Sequence, residues 1–137
     1  MGLKLQVVKN GKILCEVPLS PREWPREDLE SECHMLEEEI EELSKIFEAL
    51  TNETRMRMMT RLLGEEDFML SFNDFLRGFN MNPKSVREHA HRLSEAGFLE
   101  NPGRGKYRLS ELGRRKFVAA GLALRRMLNI LSEELEW

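Results

Sequence analysis

Asn82-Pro83 and Gly97 bracket the segment that most restricts how this chain can fold. Asparagine accepts from the free amides of a first helical turn, and proline suits the first helical position, where its missing N–H costs no bond. Glycine enters the left-handed conformation that ends a helix. Together they predict a helix over 82–96. At ~100° per residue, Val86, Ala90, Leu93 and Gly97 share one face. Lys84, Arg87, Glu88, His91 and Glu95 lie opposite, with Ser85 and Arg92 on the flank of that polar face. The next residues are equally restrictive. Phe98-Leu99-Glu100 and Lys106-Tyr107-Arg108-Leu109 enclose Asn101-Pro102-Gly103-Arg104-Gly105, which predicts a hairpin over 98–109 with a glycine-rich tip. Strand alternation sends Tyr107 and Leu109 inward and Lys106 and Arg108 outward.

Upstream, Thr51-Asn52 caps a helix from Glu53 to Leu63, ended by Gly64. Its inner face is read as Met56, Met59, Leu62 and Leu63, leaving Arg55, Arg57 and Arg61 to solvent. Ser71, with Asp74 three residues on, marks a short helix through about Phe79. Ser110-Glu111 opens a final helix over 110–135, with apolar positions at Leu112, Phe117, Ala120, Leu124, Met127 or Leu128, Leu131 and Leu135. A first long helix is predicted over 26–50. Leu29, Cys33, Leu36, Ile40, Leu43, Phe47 and Leu50 recur in it at alternating steps of four and three, flanked by Glu37, Glu38, Glu39, Glu41 and Glu42. That heptad seam suits association between helices of two subunits as well as packing on the chain's own core.

Before it, residues 1–25 read as a hairpin and linker. Asn10-Gly11 is the preferred pair for a two-residue type I′ turn between Leu3–Val8 and Ile13–Val17. In that register Leu3, Leu5, Val7 and Leu14 share one face, and Val8, Ile13, Cys15 and Val17 the other. Both faces are partly apolar, so the hairpin needs something to pack on.

The whole order is that of a mainly α protein with small β content. It reads as a winged helix-turn-helix at roughly residues 46–110, with an N-terminal β-hairpin and long N- and C-terminal dimerisation helices. Residues 26–137 form the winged domain in this reading: first helix 26–50, recognition helix 82–96, wing 98–109 and C-terminal helix 110–135.

The formal net charge of −3 runs against nucleic-acid binding, but the distribution does not. Residues 77–126 hold 12 lysines and arginines against 4 acidic residues, and local potential governs attraction to phosphate. A helix presenting long hydrogen-bonding side chains from its first turns is what major-groove reading requires. Lys84, Ser85, Arg87, Glu88, His91 and Arg92 on the helix, with Arg104, Lys106 and Arg108 on the wing, are the candidate contacts to double-stranded DNA. Arg87 suits guanine and Glu88 a cytosine amino group, while Lys84, Ser85 and Arg92 suit phosphate. Leu29, Cys33, Leu36, Ile40, Leu43, Leu124, Leu128 and Leu131 are the candidate dimer-interface residues.

Phe47-Glu48-Ala49-Leu50-Thr51-Asn52-Glu53-Thr54-Arg55-Met56-Arg57-Met58-Met59 resembles the opening motif of ArsR-type winged-helix regulators, approximately "ALsdptRlrIL". Ser85 to Leu99 is similar to that family's recognition helix, which ends "hLrxLxxAGLV", and Gly103 to Leu109 resembles its wing. The resemblance covers about half the chain. It implies a homodimeric transcriptional regulator whose terminal helices form the dimer interface. Metal-sensing members carry a Cys-x-Cys pattern around the helix-turn-helix, and no cysteine follows Cys33 here. The N-terminal hairpin has no counterpart in the family pattern.

Other chemistry is not expected. His89 and His91 stand two apart on a helix and point ~200° apart, which prevents chelation of one ion. His89 falls near the buried flank, a structural position. Cys33 at a seam position reads as a small apolar filler, with a crosslink to a dimer mate as the alternative. No phosphate-cradling loop, zinc knuckle or nucleophile elbow occurs, so no enzyme, metal or cofactor is expected. No apolar run reaches spanning length and the first residues have no signal core, so the expectation is a cytoplasmic protein without membrane contact. The acidic first fifty residues also support a different reading, a winged-helix protein-interaction module that works through its acidic helix and hairpin.

Overall fold

In the computed structural model, which describes residues 2–134, Asn10 and Gly11 take φ of 51° and 77° and close the expected two-residue turn. It joins β1 (Lys4–Lys9) to antiparallel β2 (Lys12–Pro18). The register departs from the regular one. Val8 pairs with Ile13, but Val7 pairs with Cys15, so Leu14 is an extra residue in the strand. This bulge moves Cys15 and Val17 onto the face of Leu5 and Val7, and leaves Lys4, Gln6 and Glu16 together on the other. Lys4 then pairs with Glu16 at 3.2 Å. The slip gathers Leu5, Val7, Cys15 and Val17 on one face, while Val8 and Ile13 stay on the face of Lys4, Gln6 and Glu16.

The helix expected over 26–50 is two helices, α1 (Arg26–Glu38) and α2 (Ile40–Leu50), parted at Glu39 with φ −96° and ψ 5°. The cause lies in the charge. Glu37, Glu38, Glu39, Glu41 and Glu42 crowd the end of α1, whose last turn has no basic residue. Carboxylates oppose the negative pole of a helix C-terminus and repel one another at i,i+4. No residue of α1 is buried. Of the seam residues, Leu29 and Leu43 are half-buried, and Cys33, Leu36 and Ile40 are exposed.

Residues Met1–Glu41 form one compact unit and Glu42–Trp137 another. The second continues from α2 through α3 (Glu53–Leu63), β3 (Met69–Ser71), α4 (Phe72–Phe79) and α5 (Pro83–Glu95). It ends with β4 (Leu99–Glu100), β5 (Lys106–Leu109), α6 (Glu111–Phe117), a π-helical stretch over Val118–Ala123, and α7 (Leu124–Glu134). The sheet order is β3-β5-β4, all antiparallel. Strand β3 has no counterpart in the sequence reading. Three residues are too few to show a period, and they are fixed instead by pairing Leu70 with Tyr107 across the sheet. This is a winged helix-turn-helix. Its core gathers Met58, Met59, Leu62, Phe75, Val86, Leu93, Phe98, Leu109 and Phe117, each at most 2% exposed.

Capping proceeds as expected at Asn52, Ser71, Asn82 and Ser110, whose side chains accept from Arg55, Asp74, Ser85 and Gly113 amides. Three expectations need correction. On α3 the inner face includes Arg55 and Met58, both buried, with Met56 and Leu63 only half-buried. On α6 the buried position is Gly113, and Leu112 is exposed. The last helix is also not uniform α, since the π stretch interrupts it. Leu135, assigned to that helix, lies outside the described residues.

Candidate nucleic-acid interface

Recognition helix α5 is held from three sides. Val86, Ala90 and Leu93 are its buried stripe, as the periodicity predicts. Asn80 closes α4 in the left-handed conformation (φ 49°, ψ 44°), which asparagine tolerates better than most residues, and turns the chain toward the Asn82 cap. At the other end Gly97, at φ +85°, stops the helix, and Lys116 Nζ donates to the Ala96 carbonyl at 3.2 Å. An ammonium there satisfies an orphan acceptor and complements the helix dipole.

A further tie comes from Arg55, only 6% exposed. Its guanidinium donates to the Ala49 and Glu48 carbonyls at the end of α2, at 3.2 and 2.8 Å, and to His89 Nδ1 on α5 at 3.1 Å. Burial lowers the Arg55 pKa from its ordinary value, though a guanidinium stays charged in any case. Because arginine can only donate, His89 Nδ1 must be an acceptor, and the ring proton sits on Nε2. Burial first, and the Arg55 charge second, hold the His89 pKa below its ordinary value. His89 is therefore a neutral structural group that locks α5 to α3.

The outward face of α5 carries the expected side chains. Lys84, Arg87, Glu88, His91 and Arg92 are exposed and Ser85 is half-buried. Their partners were not legible in the sequence. The Arg87 guanidinium lies 5.1 Å from the centroid of the Phe72 ring at the start of α4, within cation–π range. Arg92 pairs with Glu48 of α2, and His91 Nε2 lies 3.1 Å from Glu95. In the wing, Leu109 is buried and the Tyr107 ring packs 6.0 Å from Phe75, so the alternation holds. Arg104 and Lys106 are exposed, whereas half-buried Arg108 pairs with Glu100 at 2.7 Å.

These contacts sort the basic window. Arg77, Arg92, Arg108 and Arg115 face carboxylates, Arg114 stacks 4.4 Å over Phe68, and Lys116 caps α5. Lys84 and Arg87 in the first turns of α5, and Arg104 and Lys106 in the wing, pair with no carboxylate among the described residues. Arg114, Lys116, Arg125 and Arg126 also pair with no carboxylate among the described residues, so four of the window's eight carboxylate-free cations stand at the two places a winged helix offers to a duplex.

Comparison with known proteins agrees with this geometry. A solved ArsR family transcriptional regulator matches at 25% identity over 64% of this chain and 90% of that one, with a TM-score of 0.50. A MarR family transcriptional regulator from Streptomyces coelicolor matches at 16% identity over 80% of this chain and 82% of that one, with a TM-score of 0.51. No family model matches the sequence, and no curated protein does. The chain has the winged helix-turn-helix fold of transcriptional regulators. Within that class it resembles the ArsR type, as its helix-opening, recognition-helix and wing motifs indicate. Among the described residues no helix is long and apolar enough to cross a membrane.

Proposed function

We propose that the protein is a sequence-specific, DNA-binding transcriptional regulator that acts as a homodimer on a pseudo-palindromic site. The observation that carries this reading is that Lys84 and Arg87 in the first turns of α5, and Arg104 and Lys106 on the wing, are exposed and face no carboxylate among the described residues. In this arrangement α5 enters the major groove with Lys84 and Ser85 on phosphate and Arg87 and Glu88 at base edges. His91 and Arg92 lie further along the groove, and Arg104 and Lys106 meet the flanking backbone or minor groove. Arg108 joins them by exchanging Glu100 for phosphate. The cation–π contact with Phe72 restricts Arg87 before DNA arrives, so less side-chain freedom is lost on binding.

The dimer would form through Leu29, Cys33, Leu36, Ile40 and Leu43 of the N-terminal helices and Leu124, Leu128 and Leu131 of the C-terminal helix. Two-fold symmetry would then set two recognition helices about one DNA turn (~34 Å) apart. Selection of bound sequences from a random duplex library tests the reading. The native chain should enrich an inverted repeat, and Arg87→Ala should relax preference at one position of each half-site. Equal weakening on all sequences would show that Arg87 reads no base.

A further inference from the structure

Alternation along β1 continues past the bulge, so Lys9 and Lys12 lie on the same face of the hairpin as Leu5, Val7, Cys15 and Val17. Leu5 and Val7 are 43% and 49% exposed, and Cys15, Lys9 and Lys12 are exposed as well. Glu16 sits on the opposite face with Lys4, and neither Lys9 nor Lys12 pairs with a carboxylate among the described residues. The same unit holds a second uncovered stripe. Leu29, Cys33 and Leu36 line one side of α1, no residue of which is buried. Glu32 and Glu37 border that stripe, about 70° to either side of it at ~100° per residue. They pair with no cation among the described residues. A two-stranded hairpin is marginal in water by itself, and a helix gains most of its stability from a packed apolar face.

The chain does not bring its own two surfaces together. The Leu19 amide donates to the Leu3 carbonyl at 3.0 Å, and Trp24 Nε1 donates to the Pro18 carbonyl at 2.8 Å. With Pro21 and Pro25 in the connection, these bonds hold the hairpin where its apolar face and the α1 stripe both stay open to solvent. The two surfaces are nevertheless complementary, since each is apolar along its centre and two ammonium groups match two carboxylates. We infer that in the dimer each hairpin crosses to the other chain. It lays Leu5, Val7, Cys15 and Val17 on Leu29, Cys33 and Leu36 of the partner subunit, with Lys9 and Lys12 on Glu32 and Glu37 of the partner subunit. The lysines then supply the counter-charge that the last turn of α1 lacks. Each chain gives a hairpin and receives one, so the contact occurs twice and closes at two copies. The inference rests on the homodimer proposed above, and it names what covers Leu29, Cys33 and Leu36 there.

Sedimentation equilibrium of the full chain at low salt, with charge reversed on one surface at a time, tests it. All four residues are exposed, so reversal leaves the core alone. The variants K9E/K12E and E32K/E37K each set like charges together in their own homodimers, and each should raise the dimer dissociation constant at least about ten-fold. Mixed in equal amounts they should recover native affinity, because every reversed hairpin then meets a reversed helix and every native hairpin a native helix. An unchanged constant for K9E/K12E, or a mixture that recovers nothing, would overturn the exchange while leaving the homodimer itself in place. A native chain that stays monomeric would overturn both. Cys15 and Cys33, the chain's two cysteines, give a second readout. In a mixture of unlabelled and nitrogen-15-labelled native chains, a short bismaleimide should join Cys15 of one label to Cys33 of the other. Links between them confined to single chains would show the hairpin folded on its own helix and overturn the inference.

Discussion

Arg55 and His89, 34 positions apart, meet at 3.1 Å and join the helix that follows α2 to the recognition helix. The same guanidinium closes the end of α2 through two backbone carbonyls. One side chain thus fixes the positions of α2, α3 and α5 relative to one another.

Replacing Arg55 with methionine keeps much of its volume and removes every donor. The Ala49 carbonyl and the His89 ring nitrogen then lose their partner in a partly dry site, at about 1–3 kcal/mol per unsatisfied buried group, while the Glu48 carbonyl keeps the Thr51 hydroxyl at 3.2 Å. The expected loss is at least about 2 kcal/mol, read as a lower urea midpoint at unchanged slope. A midpoint within error of the native value would show that the contacts carry no net stability.

The neutral His89 gives stability a definite pH dependence. Its native pKa lies below the ordinary 6.5, so beneath that pH the unfolded chain takes up a proton that the native state refuses. This contribution is complete above about pH 6.5, declines as pH falls toward the native pKa, and is level below it. His89→Gln still offers Arg55 an acceptor oxygen but cannot titrate. Urea melts between pH 5 and 8 should show a shallower acid-side decline for this variant, and an unchanged decline would assign the effect elsewhere.

Two glycines in the C-terminal helical segment should respond oppositely to alanine. A Cβ on Gly113 would stand 2.8 Å from the Phe98 carbonyl carbon and nearer still to its oxygen, where α6 crosses the start of the wing. Backbone cannot yield as a side chain can, so Gly113→Ala should cost about 1–3 kcal/mol. Gly121 has open space around it, and Gly121→Ala should be neutral or stabilise by up to about 1 kcal/mol. Thermal melts of the two variants check the contrast.

Glu48 competes with phosphate for Arg92, which it meets across α2 and α5. Glu48→Gln should therefore raise affinity for duplex DNA a few-fold and steepen the salt dependence by about one unit, the weight of one added phosphate contact. Fluorescence anisotropy over a salt series measures both. A loss of affinity would mean that the pair orients Arg92 for DNA and does not withhold it.

Local chemistry was legible in the sequence, and distant partnership was not. Asn52, Ser71, Asn82 and Ser110 cap helices because each needs only the amides three residues on. The Val86, Ala90 and Leu93 stripe follows from the helical period alone. Arg55 looked solvent-facing because its acceptors belong to a different helix and to a histidine far along the chain. The pairs Glu48 with Arg92 and Phe72 with Arg87 are equally silent in spacing, and they decide which predicted contacts are neutralised. The break at Glu39 had a visible cause, five glutamates around a helix end whose last turn has no basic residue, which an unbroken apolar seam masked. In the N-terminal hairpin the turn was readable and the bulge at Leu14 was not, because both registers place some apolar residues on each face.

If the recognition helix and wing form a surface for duplex DNA, a salt titration of binding to random-sequence duplex will show it. Binding should be micromolar or tighter at low salt, with log K falling linearly as log salt rises. Lys106→Ala should lower the slope by about one. Binding that is absent at low salt, or insensitive to salt, would contradict it.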